Sequence, residues 1–405
     1  MTAVADRSPS GRSRHRAWIE IDHDALAANV SILRGLAGAR KAVIGVVKAN
    51  AYGHGDVDVA RTLVASGVER LAVATVDEGV RLRAAGVDVP VLVLFEMDAP
   101  AAARAVAAGL DATLYSRRGV AALASAAAGG RTAAHLKVDT GLGRQGAEPA
   151  DALAVALDVA SQAGIELAGT YTHLAAPGDD DAFTDLQLVR FARALDSLRT
   201  SGLDPGLVHV AGTGGVLGGV APFADAIRPG LGLYGMTPSW ASADRVGLRP
   251  VLSLHALPLR LFTLAEGEPL GYGLRFRASR PSRIATLAIG YADGWPRVHA
   301  NNGVVLVRGE RAPIVGAVSM DALTVDVTDV EGVDDDDEFI LIGAAGGDRI
   351  TTDEVAAQRR TINYEVTTVL GARLPRIAAG AADAGAPPLE SGARATVPGA
   401  AHGGV

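Results

Sequence analysis

The stretch AVIGVVKANAYGHG, residues 42–55, joins an apolar run to a polar, glycine-bearing turn through a single lysine. The run AVIGVV has the composition of a short buried strand, and the residues after Lys48 have that of a turn. Only three of the chain's 38 basic side chains are lysine, at positions 41, 48 and 137. Arginine stays protonated and cannot form an imine. A lysine retained at the end of a buried strand therefore predicts a nucleophilic amine, the group that binds a Schiff-base cofactor.

Similar apolar runs recur up to residue 235, and the segments between them carry apolar residues at intervals of three and four, which is the helical period. The eight runs are AVIGVVK (42–48), LAVAT (71–75), VPVLVLF (89–95), ATLY (112–115), AHLKVD (134–139), ELAGTYTH (166–173), LVHVA (207–211) and IRPGLGLYG (227–235). Strands that alternate with helices predict a parallel sheet. Eight such units predict a closed (β/α)8 barrel, with an open doubly wound sheet as the alternative.

The sequence pattern changes near residue 245. Longer, β-branched segments such as RIATLAIGY and GVVLVRGERAPIVGAV follow, with turn signals between them and one helix-like stretch at 351–374. Such segments predict a mainly antiparallel β domain. The expected divisions are a disordered leader at 1–15, the barrel at 16–245, a β domain with one helix at 246–380, and a disordered Gly-, Ala- and Pro-rich tail at 381–405.

Composition and charge exclude several classes of protein. The net charge is −7 and no long basic stripe is present, which argues against nucleic acid as a partner. The chain has no cysteine, so disulfides, thiolate zinc sites and thiol catalysis are excluded. The first residues lack the apolar core of a signal peptide, and no run approaches the roughly 18 apolar residues of a membrane span. We therefore expect a cytoplasmic enzyme that binds no membrane and no metal.

Reactive and charged side chains fall at the ends of the predicted strands, which is where barrels place their active sites. Lys48 ends the first strand, and His173 ends the sixth. Lys137 and Arg144 lie in the segment KVDTGLGRQG at the end of the fifth strand, and Arg228 lies in the eighth. Because these strand ends meet at one face of a barrel, the sequence predicts a single site there.

Two glycine-rich turns, 212–215 and 230–232, belong to the same predicted face. They offer backbone N–H groups to an anion, as barrels do when they bind phosphate after strands seven and eight. Each feature also has a simpler explanation, since Lys137 and Arg144 could be ion-pair partners of nearby carboxylates and His173 a hydrogen-bonded core histidine. Their co-location is what favours a functional site.

The segment AVIGVVKANAYGHG resembles the cofactor-lysine signature of the alanine racemases, pyridoxal-phosphate enzymes with a barrel and a β domain. The resemblance extends from WIEIDHDAL (18–26) to INYEV (362–366). In family order, the blocks between them are HLKVDTGLGRQG, YTHLA, IRPGLGLYG, GYG, AIGYADGWPR and VSMD. The resemblance implies an isomerase that interconverts L- and D-alanine with pyridoxal 5′-phosphate. It also implies a homodimer with shared active sites. The implied role is the biosynthesis of D-alanine, a peptidoglycan precursor.

The resemblance further implies a role for each matching residue. Lys48 would hold the cofactor as an imine and act as the base on the D side, while Tyr272 of the partner subunit would be the base on the L side. Arg228 would face the pyridine nitrogen and keep it unprotonated, and His173 would lie against the ring and favour the phenolate form of Tyr272. The implied phosphate contacts are Tyr52, Gly212, Thr213, Gly230, Leu231 and Tyr364. The implied substrate contacts are Arg144, which also reaches the cofactor's phenolic oxygen, and the Met320 N–H. The supporting residues are Tyr291, Asp321 and Lys137, which matches a lysine that is carbamylated in some members.

One turn departs from the family pattern. After His209 the family usually has an Asn-Ser pair, whereas this chain has Gly212 and Thr213 in the corresponding places. Thr213 can still donate a hydroxyl to phosphate, but Gly212 has no side-chain amide. We therefore expect weaker cofactor retention than in a relative with asparagine at that position.

Three other functions stay open at the level of sequence. A racemase of serine or another small amino acid would use the same residues. A non-catalytic pyridoxal-phosphate-binding protein would not need the β domain, which brings Tyr272 and Met320. An amino-acid decarboxylase on this two-domain plan uses a cysteine from the partner subunit and an acidic partner for the ring nitrogen, whereas this chain has no cysteine and offers Arg228.

Overall fold

The computed structural model describes residues 15–127, 129–220 and 224–379. The segments expected to be disordered, 1–15 and 381–405, lie outside these ranges apart from His15.

Eight parallel strands form a barrel, and the predicted fold is thereby confirmed. The barrel strands are Ala42–Val46, Arg70–Val73, Val91–Val93, Ala112–Leu114, Thr132–Lys137, Ile165–Tyr171, Leu207–His209 and Ala226–Ile227. Neighbours along the chain pair in parallel, and the last strand pairs with the first. A parallel bridge between Leu92 and Asp111 joins the third strand to the fourth and closes the ring. Most strand residues are apolar because side chains fill the inside of the barrel and helices cover the outside.

Helices connect the strands and cover the barrel. Several begin at side chains that accept a backbone N–H of the first turn, such as Thr75, Asp98, Ser116 and Asp180. The helices are His23–Ala37, Asp56–Ala65, Val76–Ala84, Ala99–Ala107, Arg117–Ala126, Ala152–Ala160, Asp181–Thr200, Thr213–Leu217 and Ala243–Val246. In the described ranges, none of the helices combines the length and the hydropathy that crossing a bilayer requires.

The eighth strand is much shorter than the apolar run IRPGLGLYG suggests. Only Ala226–Ile227 pairs with its neighbours, and Leu231–Tyr234 forms a 3-10 helix instead. Arg228 therefore follows the strand rather than lying inside it. The glycines at 230, 232 and 235 let the chain leave the ladder, and the Leu233 N–H bonds to the Gly230 carbonyl to start the turn.

A mostly antiparallel sheet forms the second domain, as the sequence predicts. Its strands are Leu252–Ala256, Pro258–Leu264, Ser282–Leu287, Val304–Val307, Glu310–Val315, Leu323–Asp326, Phe339–Ala345, Asp348–Ile350 and Arg376–Ala378. A separate two-stranded hairpin, Pro269–Leu270 with Phe276–Arg277, projects from it. Three short 3-10 turns complete the domain, Tyr272–Leu274, Tyr291–Asp293 and Arg297–His299.

The first strand of the chain, Ala17–Ile21, also belongs to this second sheet. It pairs antiparallel with Leu252–Ala256 and parallel with Arg376–Ala378. The expected barrel boundary at residue 16 therefore differs from the observed pairing. A strand goes where its hydrogen-bonding partners lie, and these partners are more than 200 residues away in sequence, beyond the reach of local pattern. The division at residue 245 stays a prediction.

The helix-like stretch 351–374 is two helices rather than one. Thr352–Arg359 ends where Arg360 adopts a left-handed conformation with φ 57°, and Asn363–Thr368 begins a new direction. The Asn363 side chain donates to the Thr237 carbonyl (2.9 Å) and to Asp353 (2.8 Å), which anchors the second helix against the barrel. This break points Tyr364 toward the mouth of the barrel.

Candidate functional site

A cavity of about 610 Å3 opens at the carboxyl end of the barrel strands. This volume lies in the range of small-molecule sites. Eleven of the fifteen residues singled out from the sequence line it, namely Lys48, Tyr52, Lys137, Arg144, His173, Gly212, Thr213, Arg228, Gly230, Leu231 and Tyr364. Tyr364 comes from the second domain, and the other ten come from the barrel. The structure thus brings together residues that the sequence spreads over more than 300 positions.

The segment after the first strand is a left-handed turn. Ala49, Asn50, Ala51 and Tyr52 all have φ between 52° and 56°. Each such L-residue costs roughly 1–2 kcal/mol, so four in a row need external support. Part of it comes from Glu78, whose carboxylate accepts the Ala49 N–H (2.7 Å). The turn directs the chain so that Lys48 and Tyr52 both face the cavity.

The Lys48 amine lies in an environment that disfavours its charge. Burial, together with the nearby guanidinium groups of Arg144 and Arg228, lowers its pKa below the ordinary value of 10.5, and Glu78 opposes the shift. The same causes, burial first, lower the pKa of Lys137 to about 7. A neutral amine can act as a nucleophile or a base, and an ammonium can do neither.

Arg228 is almost fully buried and fixed by three hydrogen bonds. Its Nη1 donates to Nδ1 of His209 (2.6 Å), and its Nη2 donates to the Thr172 carbonyl (2.9 Å) and to Nδ1 of His173 (3.0 Å). Its guanidinium carbon lies 4.9 Å from the centroid of the Tyr171 ring. Burial lowers the pKa of Arg228 to about 10, which still leaves it cationic at neutral pH.

A chain of hydrogen bonds leads from Arg228 into the barrel. Because arginine can only donate, His209 accepts at Nδ1 and carries its proton on Nε2, which lies 3.0 Å from Nδ1 of His135. The same logic places the His135 proton on Nε2, which lies 3.9 Å from the Asp111 carboxylate. Asp111 in turn pairs with Arg70 (3.1 Å). The network fixes both tautomers.

His173 is neutral and has a defined tautomer. Burial, then the positive charges of Arg228 and Arg144, lower its pKa well below 6.5. Since its Nδ1 accepts from Arg228, its Nε2 carries the proton. His173 therefore presents a hydrogen-bond donor on the ring edge that faces away from Arg228.

Asp139 shapes the loop that carries Arg144. Its carboxylate accepts the N–H groups of Gly141 (3.0 Å), Gly143 (3.1 Å) and Arg144 (3.0 Å). Burial pushes the pKa of Asp139 upward, but the backbone donors outweigh it and hold the pKa below its usual range. The loop is thereby fixed while the Arg144 side chain stays exposed at the cavity. Among the described residues, no carboxylate forms an ion pair with it.

The two glycine-rich turns are joined by a hydroxyl. The Thr213 Oγ1 accepts the N–H groups of Gly230 (3.3 Å) and Gly232 (3.0 Å). These two N–H groups are thus engaged, which differs from the expectation that the turn at 230–232 leaves its N–H groups free for an anion. The Thr213 hydroxyl keeps its own proton for donation. Gly230 is required by packing, because a Cβ there would overlap the Tyr52 hydroxyl.

The four remaining sequence-predicted residues lie away from the cavity, on the surface of the second domain. Tyr272, at the tip of the hairpin, is 77% exposed, Met320 is 52% exposed and Tyr291 is 42% exposed. Asp321 pairs with Arg373 (2.7 Å). Tyr291 and Met320 are neighbours, since the turn at Tyr291 donates backbone N–H groups to residues 319 and 320. The structure does not bring these four residues to the cavity of their own chain.

Several residues that line the cavity were not predicted from the sequence. Tyr171 lines the cavity and its ring lies against Arg228, and its period-two spacing from His173 within the predicted strand ELAGTYTH (166–173) was the available signal. Gln145 directly follows Arg144 and donates to the Leu94 carbonyl (3.3 Å). Trp240 and Asp179 also line the cavity, but nothing in their sequence surroundings marks them.

Both domains match family models. Residues 21–238 match the model described as alanine racemase, N-terminal domain, and residues 251–378 match that described as alanine racemase, C-terminal domain. Alanine racemase 2 of Caldanaerobacter subterraneus subsp. tengcongensis is 39% identical over 363 residues, which cover 89% of this chain and 94% of the relative. The alanine racemase of Halothermothrix orenii is 37% identical over 367 residues, which cover 89% and 96%.

Solved structures agree in fold along the same length. The alanine racemase from the D-cycloserine producer Streptomyces lavendulae superposes with a TM-score of 0.83 at 34% identity, covering 91% of this chain and 98% of that chain. The alanine racemase from Bacillus anthracis with bound L-Ala-P also gives 0.83 at 34% identity, covering 90% and 95%.

Proposed function

Because this chain belongs to the alanine racemase family, whose members depend on pyridoxal 5′-phosphate, we propose that it interconverts L- and D-alanine with this cofactor bound in the barrel cavity. One observation carries the proposal. Lys48, whose amine pKa is lowered, lines the same cavity as the buried cation Arg228, at the carboxyl end of the barrel. The chain matches the family over both domains.

The residues present suit this cofactor. Two guanidinium groups, those of Arg144 and Arg228, line the cavity together with the amines of Lys48 and Lys137, whereas Asp179 is the only carboxylate among the described lining residues. Such an excess of positive charge attracts a ligand that carries a phosphate and a carboxylate. The Tyr52 and Tyr364 hydroxyls and the turn at Gly212–Thr213 would hold the phosphate. When bound, the cofactor supplies an electron sink for the electrons left at the substrate Cα.

Lys48 has two tasks in this proposal. Its neutral amine would hold the cofactor, and with substrate bound the same amine would exchange a proton with Cα on the D side. Both tasks need an unprotonated nitrogen at neutral pH, which the lowered pKa favours.

Arg228 would set the protonation of the pyridine nitrogen. Of its five N–H groups, three are used by His209, His173 and the Thr172 carbonyl, which leaves two available to a ligand. A guanidinium that stays charged can only donate, so a ring nitrogen held beside it would accept and stay unprotonated. Arg228 would thereby favour return of the proton to Cα over its delivery to another carbon, and so racemisation over transamination.

Tyr272 of a partner subunit is proposed as the base on the L side. Tyr272 is 77% exposed on its own chain and does not line its own cavity, which supports delivery to a second copy. The Nε2–H of His173 would donate to the arriving phenol oxygen and favour its ionised form. Exposed apolar residues of the same domain, including Leu274 and Ile362, offer a surface for the homodimer.

The substrate carboxylate would bind Arg144 and the Met320 N–H of the partner subunit. Arg144 is exposed at the cavity without a described carboxylate partner, so its guanidinium is available for a bidentate contact. Tyr291 and Asp321 would support Met320, since Asp321 follows it in the chain and the turn at Tyr291 donates N–H groups to the carbonyls of residues 319 and 320. A pKa of about 7 leaves much of Lys137 neutral near neutral pH, which is the form that carbamylation requires.

We also propose the finer assignments that the sequence suggested. These are a cytoplasmic enzyme that forms a homodimer and supplies D-alanine as a peptidoglycan precursor.

The test is deuterium incorporation at Cα in deuterated water over a panel of L-amino acids, with chiral analysis of the products. We expect exchange and D-enantiomer formation to be greatest with alanine. Greater activity with serine or another small amino acid would change the substrate while leaving the reaction intact. Cofactor binding without exchange in any amino acid would overturn catalysis, and release of carbon dioxide would indicate a decarboxylase.

A further inference from the structure

Arg376 makes an unusual set of contacts for a cationic side chain. It opens the strand Arg376–Ala378, and its guanidinium donates only to backbone carbonyls. Nε donates to Gly53 (3.0 Å), Nη1 to Gly371 (2.7 Å) and Leu374 (2.7 Å), and Nη2 to Leu370 (2.9 Å). Among the described residues, no carboxylate forms an ion pair with Arg376. This side chain does not line the barrel cavity.

The four carbonyls belong to two different segments. Gly53 ends the left-handed turn that carries Lys48 and Tyr52. The other three carbonyls follow the helix Asn363–Thr368, which carries Tyr364. These three carbonyls lie outside the helix, so a guanidinium can supply hydrogen-bond donors that the helix does not. Arg376 is therefore a bridge between the two segments that hold Tyr52 and Tyr364.

The two segments also touch directly, and the contact leaves no room for a side chain at Gly53. Gly53 adopts φ 85°, and a Cβ on it would overlap the Thr367 carbonyl oxygen of the helix. The Tyr52 and Tyr364 rings lie with centroids 6.3 Å apart. Because the left-handed turn is intrinsically unfavourable for its four L-residues, its position depends on contacts from outside.

We propose that Arg376 is a positioning residue for the phosphate end of the cofactor site, which sets the spacing of Tyr52 and Tyr364 by holding their two backbone segments together. The inference rests on the proposed assignment of the phosphate to these two hydroxyls. The planar guanidinium is suited to the task because it presents donors in three directions at once. A lysine ammonium, with three donors on a single atom, cannot reach both segments in the same geometry.

The experiment compares Arg376→Met with a matched control, Arg83→Met. Arg83 is equally half-buried and also donates to four backbone carbonyls, those of Val87, Val89, Ala108 and Gly109. These carbonyls precede barrel strands and therefore lie at the opposite end from the cavity. Loss of either arginine removes its hydrogen bonds to four carbonyls, of which, among the described residues, only the Gly371 carbonyl keeps another donor, the Leu374 N–H (3.3 Å). We expect the two variants to lose similar amounts of thermal stability as apoproteins.

Only Arg376→Met is expected to change cofactor binding. We expect its apoprotein to bind pyridoxal phosphate about tenfold more weakly, the factor that corresponds to one misaligned hydrogen bond to a charged group. Hydrogen exchange of amides 49–53 in the same apoprotein should be faster than in wild type and in Arg83→Met. Equal cofactor affinity in the two variants, whether both are weakened or neither, would overturn the inference, as would unchanged exchange at 49–53.

Two further measurements keep the test decisive. If Arg376→Met does not fold, Arg376→Lys is measured in the same way, with a smaller loss of affinity expected and an unchanged affinity contradicting the inference. Tyr52→Phe and Tyr364→Phe separate the proposed role of Arg376 from the proposed phosphate site. Loss of affinity in these variants but not in Arg376→Met rejects the role of Arg376 alone. Full affinity in both tyrosine variants rejects the proposed phosphate site.

Discussion

The mouth of the barrel and the hairpin Pro269–Arg277 carry the two proposed bases in opposite environments. Lys48 is half-buried in a cavity lined by ten other sequence-predicted residues, and its pKa is lowered by burial and by two arginines. Tyr272 is 77% exposed at a hairpin tip, and it does not line that cavity. One chain thus provides a cavity that lowers the pKa of the first base, whereas it leaves the second base exposed at its surface.

This difference indicates that the barrel forms the cavity of its own chain, while the second domain contributes Tyr364 to that cavity and exposes other residues to a partner. The helix Asn363–Thr368 turns Tyr364 into the cavity of its own chain, whereas Tyr272, Tyr291 and Met320 face outward. A phenol in water titrates near 10 and is a weak base. Tyr272 needs the environment that a second copy of the barrel mouth would provide, so the comparison predicts catalysis that depends on assembly.

The largest effect is expected from Lys48→Ala, which removes the tuned base. Turnover should fall by at least about 10³-fold, since both the covalent cofactor link and a general base are lost. Borohydride reduction of the holoenzyme followed by peptide mass mapping should label Lys48 in wild type and no residue in the variant. Lys41→Ala serves as the control and should keep the label and the activity. A label on Lys41 or Lys137 would contradict the assignment.

Mixing two inactive variants tests whether the exposed Tyr272 acts in the site of the partner subunit. Tyr272→Phe should lower turnover by about 10²- to 10⁴-fold while the visible absorbance of the bound cofactor stays. After subunit exchange with Lys48→Ala, half of the dimers should be hybrids with one intact site each, which restores about a quarter of wild-type activity. No recovery after confirmed exchange, or near-normal turnover by Tyr272→Phe, would argue for a base within one chain.

A smaller effect is expected at Gly212, where the barrel mouth departs from the family pattern. Its φ is −74°, and a Cβ there would meet its neighbours only at ordinary contact distances, so Gly212→Asn fits without strain. An added amide donor should tighten pyridoxal phosphate binding about tenfold in equilibrium titration of the apoprotein. Gly130→Asn, outside the cavity lining and also free of close contacts, is the control and should leave affinity unchanged. Equal or weaker binding by Gly212→Asn would show that glycine at this position does not weaken cofactor binding.

The smallest effect concerns the acid sensitivity of the barrel interior. Burial lowers the pKa of His54 to about 4 and that of His135 to about 3, so below pH 6.5 the unfolded chain binds protons that the folded barrel does not. Each histidine should cost roughly 1 kcal/mol of unfolding free energy at about pH 5.5 relative to about pH 7.5. Asp111, whose pKa burial raises to about 6, acts in the opposite sense and offsets part of this loss.

Thermal unfolding of the apoprotein at those two pH values measures this effect. The midpoint should be lower at the acidic pH, and His54→Gln should show a smaller difference between the two conditions. An identical pH dependence in wild type and His54→Gln would remove His54 from the explanation.

Local pattern was sufficient for some elements and insufficient for others. The apolar run ending at Lys48 predicted a strand end in the barrel because burial of a short strand is written in its own composition. The break at Arg360 was not predictable, since an arginine rarely adopts a left-handed conformation and does so here only with the anchored Asn363 helix beside it. Asp179 and Trp240 reach the cavity through loops, whose paths depend on packing against distant residues.

The sequence by itself determined the order of strands and helices, the lysine among arginines, and the motifs that resemble one enzyme family. These features are local, because period, composition and spacing act over a few residues. Only the tertiary structure decided that Ala17–Ile21 joins the second domain, that the Thr213 hydroxyl bridges two turns, and that Arg376 clasps Gly53 to residues 370–374. Each of these depends on groups far apart in the chain, which meet only after the whole core is packed.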